Sequence, residues 1–198
     1  MYTSSCFDET RPELLQGLIA HYPLGAVVVN GADGLVADHI PFELAPATRQ
    51  APFGVLRAHV ARANPLWRHE GDTMVVFQGP STYVSPSLYE EKPVSGKVVP
   101  TWNYAVVHAH GTLRAIEDPA WLLALLGRMT DAHEGGRTMP WAVEDAPREW
   151  LEKIMQAIVG IEIPVQRMQG KFKLSQNRSH DDQRRIAEDT GVAMHRTA

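Results

Sequence analysis

Between Leu24 and Glu117 the chain repeats extended, β-branched and aromatic segments, and turns rather than long helices separate them. Parallel neighbours need a crossover of a dozen or more residues, usually helical, so connections this short favour antiparallel pairing. Leu24 to Asn30 and Leu35 to Leu44 read as two strands of a hairpin. Their turn, Asn30-Gly31-Ala32-Asp33-Gly34, is rich in residues that tolerate positive φ. Phe53 to Val60 is a third strand. Thr73 to Gln78 is a fourth, closed by Gly79-Pro80, and Ser81 to Ser85 continues it past a bend. Tyr104 to Glu117 is a long strand, and Ile161 to Met168 and Lys171 to Leu174 come last. This order predicts a mainly β, α+β architecture: an antiparallel barrel decorated by helices.

The helices announce themselves by their ends. Thr10 as N-cap with Pro12 and Glu13 in the first turn starts one, and Pro23 stops it. Leu14, Leu15, Leu18 and Ile19 recur along it at helical spacing. Asn64-Pro65 opens a short helix holding Leu66 and Trp67. Asp118-Pro119 caps an amphipathic helix from Ala120 to about His133, with Trp121, Leu122, Leu125 and Met129 facing inward. Asp145-Ala146-Pro147 opens another, from Arg148 to about Val159, with Trp150, Ile154 and Ile158 as its core stripe. Asp181 to Asp189 reads as a polar terminal helix, with fraying from Met194 onward. No repeat, low-complexity tract or linker interrupts the 198 residues, so one domain over residues 1–198 is expected.

Charge and motif patterns exclude several classes. Net charge is −4, and the densest basic stretch, Lys171 to Arg185, is interrupted by Asp181 and Asp182. Direct nucleic-acid binding therefore lacks electrostatic support, and neither long helix reads as a recognition helix. No apolar run approaches the roughly 18 residues of a bilayer span. Met1 to Glu9 lacks the basic start and apolar core of a secretion signal. The single cysteine, Cys6, excludes an internal disulfide and suits a reducing cytoplasm. Phosphate-loop, dinucleotide-fold and nucleophile-elbow patterns are absent, and His133-Glu134 does not extend to a zinc-protease motif. His108 and His110 share a strand face, but no partner stands at ligand spacing, so no metal site is expected.

Two stretches concentrate interaction-capable side chains. Gly96-Lys97-Val98-Val99-Pro100-Thr101-Trp102-Asn103-Tyr104 offers a cation, a hydroxyl, an indole, an amide and a phenol just before an alternating strand. Lys171-Phe172-Lys173-Leu174-Ser175-Gln176-Asn177-Arg178 is the second. Such residues suit a flat, polar-edged, anionic small molecule. Arg62 can offer a planar fork to phosphate, with Asn64 and the helix start behind it adding donors. A surface arginine beside a capping asparagine is the plainer alternative, and spacing alone leaves both open.

The chain resembles the PaiB family of FMN-binding negative transcriptional regulators. The resemblance lies in His39-Ile40-Pro41, Ala61-Arg62-Ala63-Asn64-Pro65-Leu66-Trp67, Val76-Phe77-Gln78-Gly79-Pro80, Tyr83-Val84-Ser85-Pro86, Lys97 to Tyr104, and Gly170-Lys171 to Asn177. It covers nearly the whole chain in order. It implies a split β-barrel of the pyridoxamine-phosphate-oxidase type, a cytoplasmic homodimer, and FMN at the interface. Carried over by position, His39, Ile40 and Pro41 would lie along the ring edge. His59, Arg62 and Asn64 would meet the phosphate or ribityl chain. Thr101, Trp102, Asn103 and Tyr104, from the partner subunit or the next strand, would contact ring and phosphate. Lys97, Lys171 and Lys173 are candidates for a cation near the ring's pyrimidine side, and Lys171, Leu174, Ser175, Gln176 and Asn177 would close the site. Phe172 and Leu88 stand where tryptophan is common in the family. The oxidase's arginine-leucine-histidine substrate stretch is absent. Two functions follow from the resemblance: a flavin- or redox-responsive repressor acting on DNA directly or through a protein partner, or a flavin-dependent oxidoreductase or haem-handling enzyme.

Overall fold

Period-two burial and short connections produce an antiparallel sheet, with helices against parts of it. The computed structural model describes residues 1–191, so the fraying expected from Met194 lies outside the described residues. In chain order the elements are β1 (Asp8–Glu9), α1 (Pro12–His21), β2 (Leu24–Gly31), β3 (Gly34–Pro41), β4 (Glu43–Ala45), β5 (Val55–Ala61) and β6 (Asp72–Val84). There follow α2 (Glu91–Ser95), β7 (Thr101–Thr112), β8 (Arg114–Ile116), α3 (Pro119–Glu134), α4 (Arg148–Gln156), β9 (Ile158–Lys173) and α5 (His180–Thr190). Short 3-10 turns lie at Pro65–Arg68, Pro86–Leu88 and Val143–Asp145. The strand order is β3-β2-β6-β7-β9-β5-β4, with β1 and β8 also paired to β9. The fold is α+β, as the sequence predicts.

The chain divides into two compact units. The first holds Met1–Tyr22, Phe77–His108 and the stretch from Met168 onward; the second holds Pro23–Val76 and Ala109–Arg167. In the first unit Leu15, Ile19, Phe77 and Val107 are fully enclosed. Val84, Tyr89 and Ile186 form a further cluster, with Leu88 and Val98 against it. In the second unit Val27 of β2 pairs with Val75 of β6, and both are completely buried with Leu56, Leu125, Ile161 and Ile163.

Several predicted boundaries move where distant parts of the chain pack together. The fourth strand continues past Gly79-Pro80 to Val84 as expected, but as one unbroken strand and not past a bend. Gly79 lies close to α1: a Cβ there would sit 3.3 Å from Leu18 Cδ1. Pro80 lies beyond the part of β6 paired with β2. The two final strands expected at Ile161 to Met168 and Lys171 to Leu174 are one, β9. A Cβ on Gly170 would collide with Leu15 and the Glu9 carbonyl. The hairpin's second strand breaks at Phe42, whose N–H donates to the Pro23 carbonyl at 2.9 Å. The residues after it pair with β5, Glu43 opposite Arg57.

Helix ends agree more closely. Asp118 Oδ1 accepts the Ala120 N–H at 2.9 Å and caps α3. Asn64 Oδ1 accepts the Leu66 N–H at 2.8 Å ahead of the first 3-10 turn. The first helix is an exception: its N-cap is Arg11, not Thr10, and no side chain caps it. The core stripe expected on α4 is a second correction. Trp150 and Ile154 are 54% and 41% exposed. The inward pair is one residue on: Leu151 and Met155 line a groove with Pro119, Ala120 and Leu123 of α3. Ile158 belongs to β9. Glu91 and Lys92 open the single-turn helix α2.

Candidate cofactor-binding residues

β7 begins at Thr101, three residues earlier than predicted, and this sets the direction of the whole polar-aromatic run. Strand alternation puts Trp102 and Tyr104 on one face and Asn103 on the other. Trp102 is 55% exposed, whereas Asn103 is 2% exposed. The buried amide is matched by Ser175: Asn103 Nδ2 donates to Ser175 Oγ at 2.9 Å, and Ser175 Oγ–H donates to Asn103 Oδ1 at 3.0 Å.

The cations stand over aromatic faces. Lys171 Nζ lies 5.5 Å from the Tyr104 ring centroid and 5.8 Å from that of Tyr2, and donates to the Tyr2 carbonyl at 3.2 Å. Lys173 Nζ bonds Thr101 Oγ1 and lies 6.0 Å from the Phe7 ring. The partners of both ammoniums are thus neutral. Among the described residues no carboxylate reaches ion-pair distance of either, although Asp8 is opposite Lys171 in the β1–β9 register. Lys97 is exposed, just after Gly96 ends α2 in a left-handed conformation.

The turn after β9 is braced by its own side chains. Gln176 Oε1 accepts the Leu174 N–H at 2.6 Å, and Gln176 Nε2 donates to the Phe172 carbonyl. Arg178 N–H donates to the Ser175 carbonyl at 2.9 Å. Ser175 itself has φ 60°, a left-handed value that non-glycine residues hold only when neighbours fix it. Leu174 is half-buried, while Gln176 and Asn177 are exposed.

Sequence reasoning missed the support behind this set. Asp182, 7% exposed, accepts the Glu90 N–H at 3.0 Å and also bonds Arg185. Arg185 Nε donates to the Leu88 carbonyl at 2.8 Å and Arg185 pairs with Glu90 at 3.0 Å. Helix α5 thereby ties down the segment leading into α2 and Lys97. Partners this far apart in the chain leave no local signal. Tyr83 was also missed as a neighbour of Trp102: their ring centroids are 6.1 Å apart at 74°.

The second unit holds the remaining predicted residues. His39 and Pro41 are exposed on β3, while Ile40 is 5% exposed and packs inward. His59 on β5 is half-buried, its Nδ1 is buried with no partner among the described residues, and burial holds its pKa below the usual histidine value. Arg62 is engaged on three sides. It pairs with Glu117 at 2.6 Å and donates to the carbonyls of Gln156 at 3.0 Å and Ile158 at 3.3 Å. Asn64 is divided between its cap and Asp38, to which Nδ2 donates at 3.3 Å. Here Arg62 and Asn64 hold the backbone.

The structure therefore brings together Thr101, Trp102, Asn103, Tyr104, Lys171, Lys173 and Ser175 in the first unit. An open indole, two ammoniums with neutral partners and a strand held in register suit a planar ring with an anionic tail, and FMN has that chemistry. No group of three or more metal-ligating side chains occurs among the described residues. No helix there is long and apolar enough to cross a membrane.

Comparison with known proteins gives a consistent picture. Residues 1–167 match the family model described as "Putative FMN-binding domain". A protein of Emericella nidulans is 35% identical over 92% of this chain and 87% of its own length. The protease synthase and sporulation protein PAI 2 of Bacillus subtilis is 32% identical over 95% of this chain and 88% of its own. Among solved structures, the FAD and heme binding protein from Mycobacterium smegmatis superposes with a TM-score of 0.60. It shares 20% identity over 91% of this chain and 79% of its own. That likeness shows the fold, a split barrel.

Proposed function

We propose, on the premise that this chain belongs to the FMN-binding family that includes PAI 2 of Bacillus subtilis, that it acts as a flavin-responsive negative regulator of transcription. It works as a cytoplasmic homodimer with FMN at the subunit interface. Bound FMN would supply the redox chemistry of its ring. The chain's residues bind and orient it. Trp102 offers a stacking face and Tyr104 a half-buried phenol. Lys171 and Lys173 offer ammoniums to anionic oxygens, and Lys97 adds a third cation from its loop. Asn103 and Ser175 hold the strand and turn in register. Arg62 and Asn64 act through the backbone they brace, Arg62 serving Glu117 and two carbonyls and Asn64 its cap and Asp38, and Ile40 packs inward, while His39 and Pro41 face the ring edge and His59 the ribityl chain.

The observation that supports this reading best is the pair of lysine ammoniums whose partners among the described residues are neutral, on β9 against the strand that carries the exposed Trp102 indole. Repression is exerted through a protein partner rather than by direct base reading, because the net charge is −4 and neither long helix presents a basic face. A pull-down of the FMN-loaded and FMN-free protein, with a reporter assay in the same cells, tests this. Flavin-dependent capture and a derepressed reporter on deletion support it. No flavin-dependent partner and an unchanged reporter refute it.

The second reading is a flavin-dependent oxidoreductase. The half-exposed Trp102 and Tyr83 favour it, because enzymes leave room for a second planar reactant. Turnover of bound flavin with a reductant and an acceptor supports it; flavin that no physiological reductant reduces refutes it.

A further inference from the structure

Tyr83 lies near the end of β6 and Trp102 near the start of β7. Both rings stay about half in water, at 50% and 55% exposure. Large aromatic side chains usually bury most of their surface, and an exposed pair marks a place where something else covers them. Their rings meet edge to face, at 6.1 Å and 74°. In that arrangement one ring directs its edge at the other's face. Whichever ring does so, at least one face of the indole stays open.

An exposed tryptophan is otherwise free to change rotamer, and a ligand that stacks on it must first immobilise it. An edge contact from a neighbouring ring removes that freedom beforehand. The same strand face continues to Tyr104, with Lys171 Nζ 5.5 Å from its ring. Indole, phenol and ammonium thus follow one another along one face of β7. A planar ring fits against the first and an anionic substituent reaches the last. A neutral planar ligand would use the indole and leave the ammonium unused.

We propose that Tyr83 is a positioning residue that holds the Trp102 indole as the stacking wall for a planar aromatic anion, with Lys171 reading the anion. This rests on FMN being the molecule that occupies the set. It adds a residue outside the predicted contact set, and it assigns the ring and the charge of the ligand to different side chains. The phenolic hydroxyl of Tyr83 takes no part, so phenylalanine suffices at this position.

The test uses the full chain and FMN and riboflavin as probes. Flavin release is followed by its fluorescence after dilution, and the visible spectrum of the bound flavin is recorded alongside. Tyr83→Ala should release FMN about tenfold faster and alter the band shape of the bound flavin, as loss of one aromatic contact predicts. Tyr83→Phe should restore both. Lys171→Ala should weaken FMN binding and leave riboflavin binding unchanged. Because Tyr83 is half-exposed, thermal unfolding of each variant should match the parent. If the parent takes up FMN but Tyr83→Ala releases it at the parental rate with the parental spectrum, the role of Tyr83 is overturned and FMN binding stands. If Tyr83→Phe behaves like Tyr83→Ala, the hydroxyl matters and the proposal fails. If the parent takes up no FMN, both fall.

Discussion

Asn103 and Ser175, 72 residues apart, exchange two hydrogen bonds in the interior of the first unit. Each is the other's answer to burial. Ser175→Ala leaves the Asn103 amide unpaired away from water, which costs about 1–3 kcal/mol. Asn103→Ala leaves the Ser175 hydroxyl in the same position. Removing both should cost less than the sum, so a double-mutant cycle by urea unfolding should give a coupling of about 1 kcal/mol or more. Strictly additive losses would show that the two side chains act separately.

Arg62 is expected to matter for stability before it matters for flavin. Its guanidinium serves Glu117 and the carbonyls of Gln156 and Ile158. Arg62→Ala should lower stability by about 1–2 kcal/mol, with part of the ion pair discounted for its exposure to solvent. It should weaken FMN binding less than Lys171→Ala does. A normal unfolding midpoint with abolished FMN binding would return Arg62 to the role of phosphate ligand.

His59 gives the fold a pH dependence of definite sign. Burial lowers its pKa in the folded protein, whereas the unfolded chain protonates near the ordinary ~6.5. Below that pH the unfolded state holds more protons, so stability present at neutral pH is lost as pH falls through about 6.5, and the loss levels off below the lowered folded value. His59→Gln should flatten this part of the stability profile, measured by urea midpoints from about pH 8 to about pH 5. Parallel profiles for both proteins would exclude His59 as the cause.

Tyr89 carries a buried hydroxyl with no partner among the described residues, while the Arg178 guanidinium stacks 4.2 Å from its ring centroid. The ring contact survives Tyr89→Phe and the unpaired hydroxyl does not. Stability should rise by up to about 1 kcal/mol, or stay level. A clear loss in thermal unfolding would mean that the hydroxyl has a partner in solution.

What could be read from the sequence, and what could not, follows the range of the interactions involved. The antiparallel α+β fold was legible because turn lengths and strand periodicity are local. The caps at Asp118 and Asn64 were legible for the same reason. The bend expected at Gly79-Pro80 and the gap expected between Met168 and Lys171 give way to continuous strands, because Gly79 and Gly170 mark close approaches and not turns. Here each makes room for α1, and that helix is remote in sequence. The stripe on α4 slipped by one residue because Trp150 and Ile154 have the same helical spacing as Leu151 and Met155. Only the neighbouring α3 decides which pair turns inward. At the candidate site, residue types announced polar chemistry at Lys97 to Tyr104 and Lys171 to Asn177. They did not announce that Asn103 would be spent on Ser175, Arg62 on Glu117, or that Asp182 and Arg185 would anchor the approach to Lys97.

Everything about function passes through the flavin. The most direct measurement is equilibrium titration of the purified, flavin-stripped protein with FMN, followed by flavin fluorescence and visible absorption. Saturable uptake of one FMN per chain is expected, with markedly weaker uptake by a Lys171→Ala Lys173→Ala variant that unfolds at the parental temperature. Fluorescence and absorption of added FMN that remain those of free FMN at every protein concentration would contradict the assignment of this chain as a flavin binder.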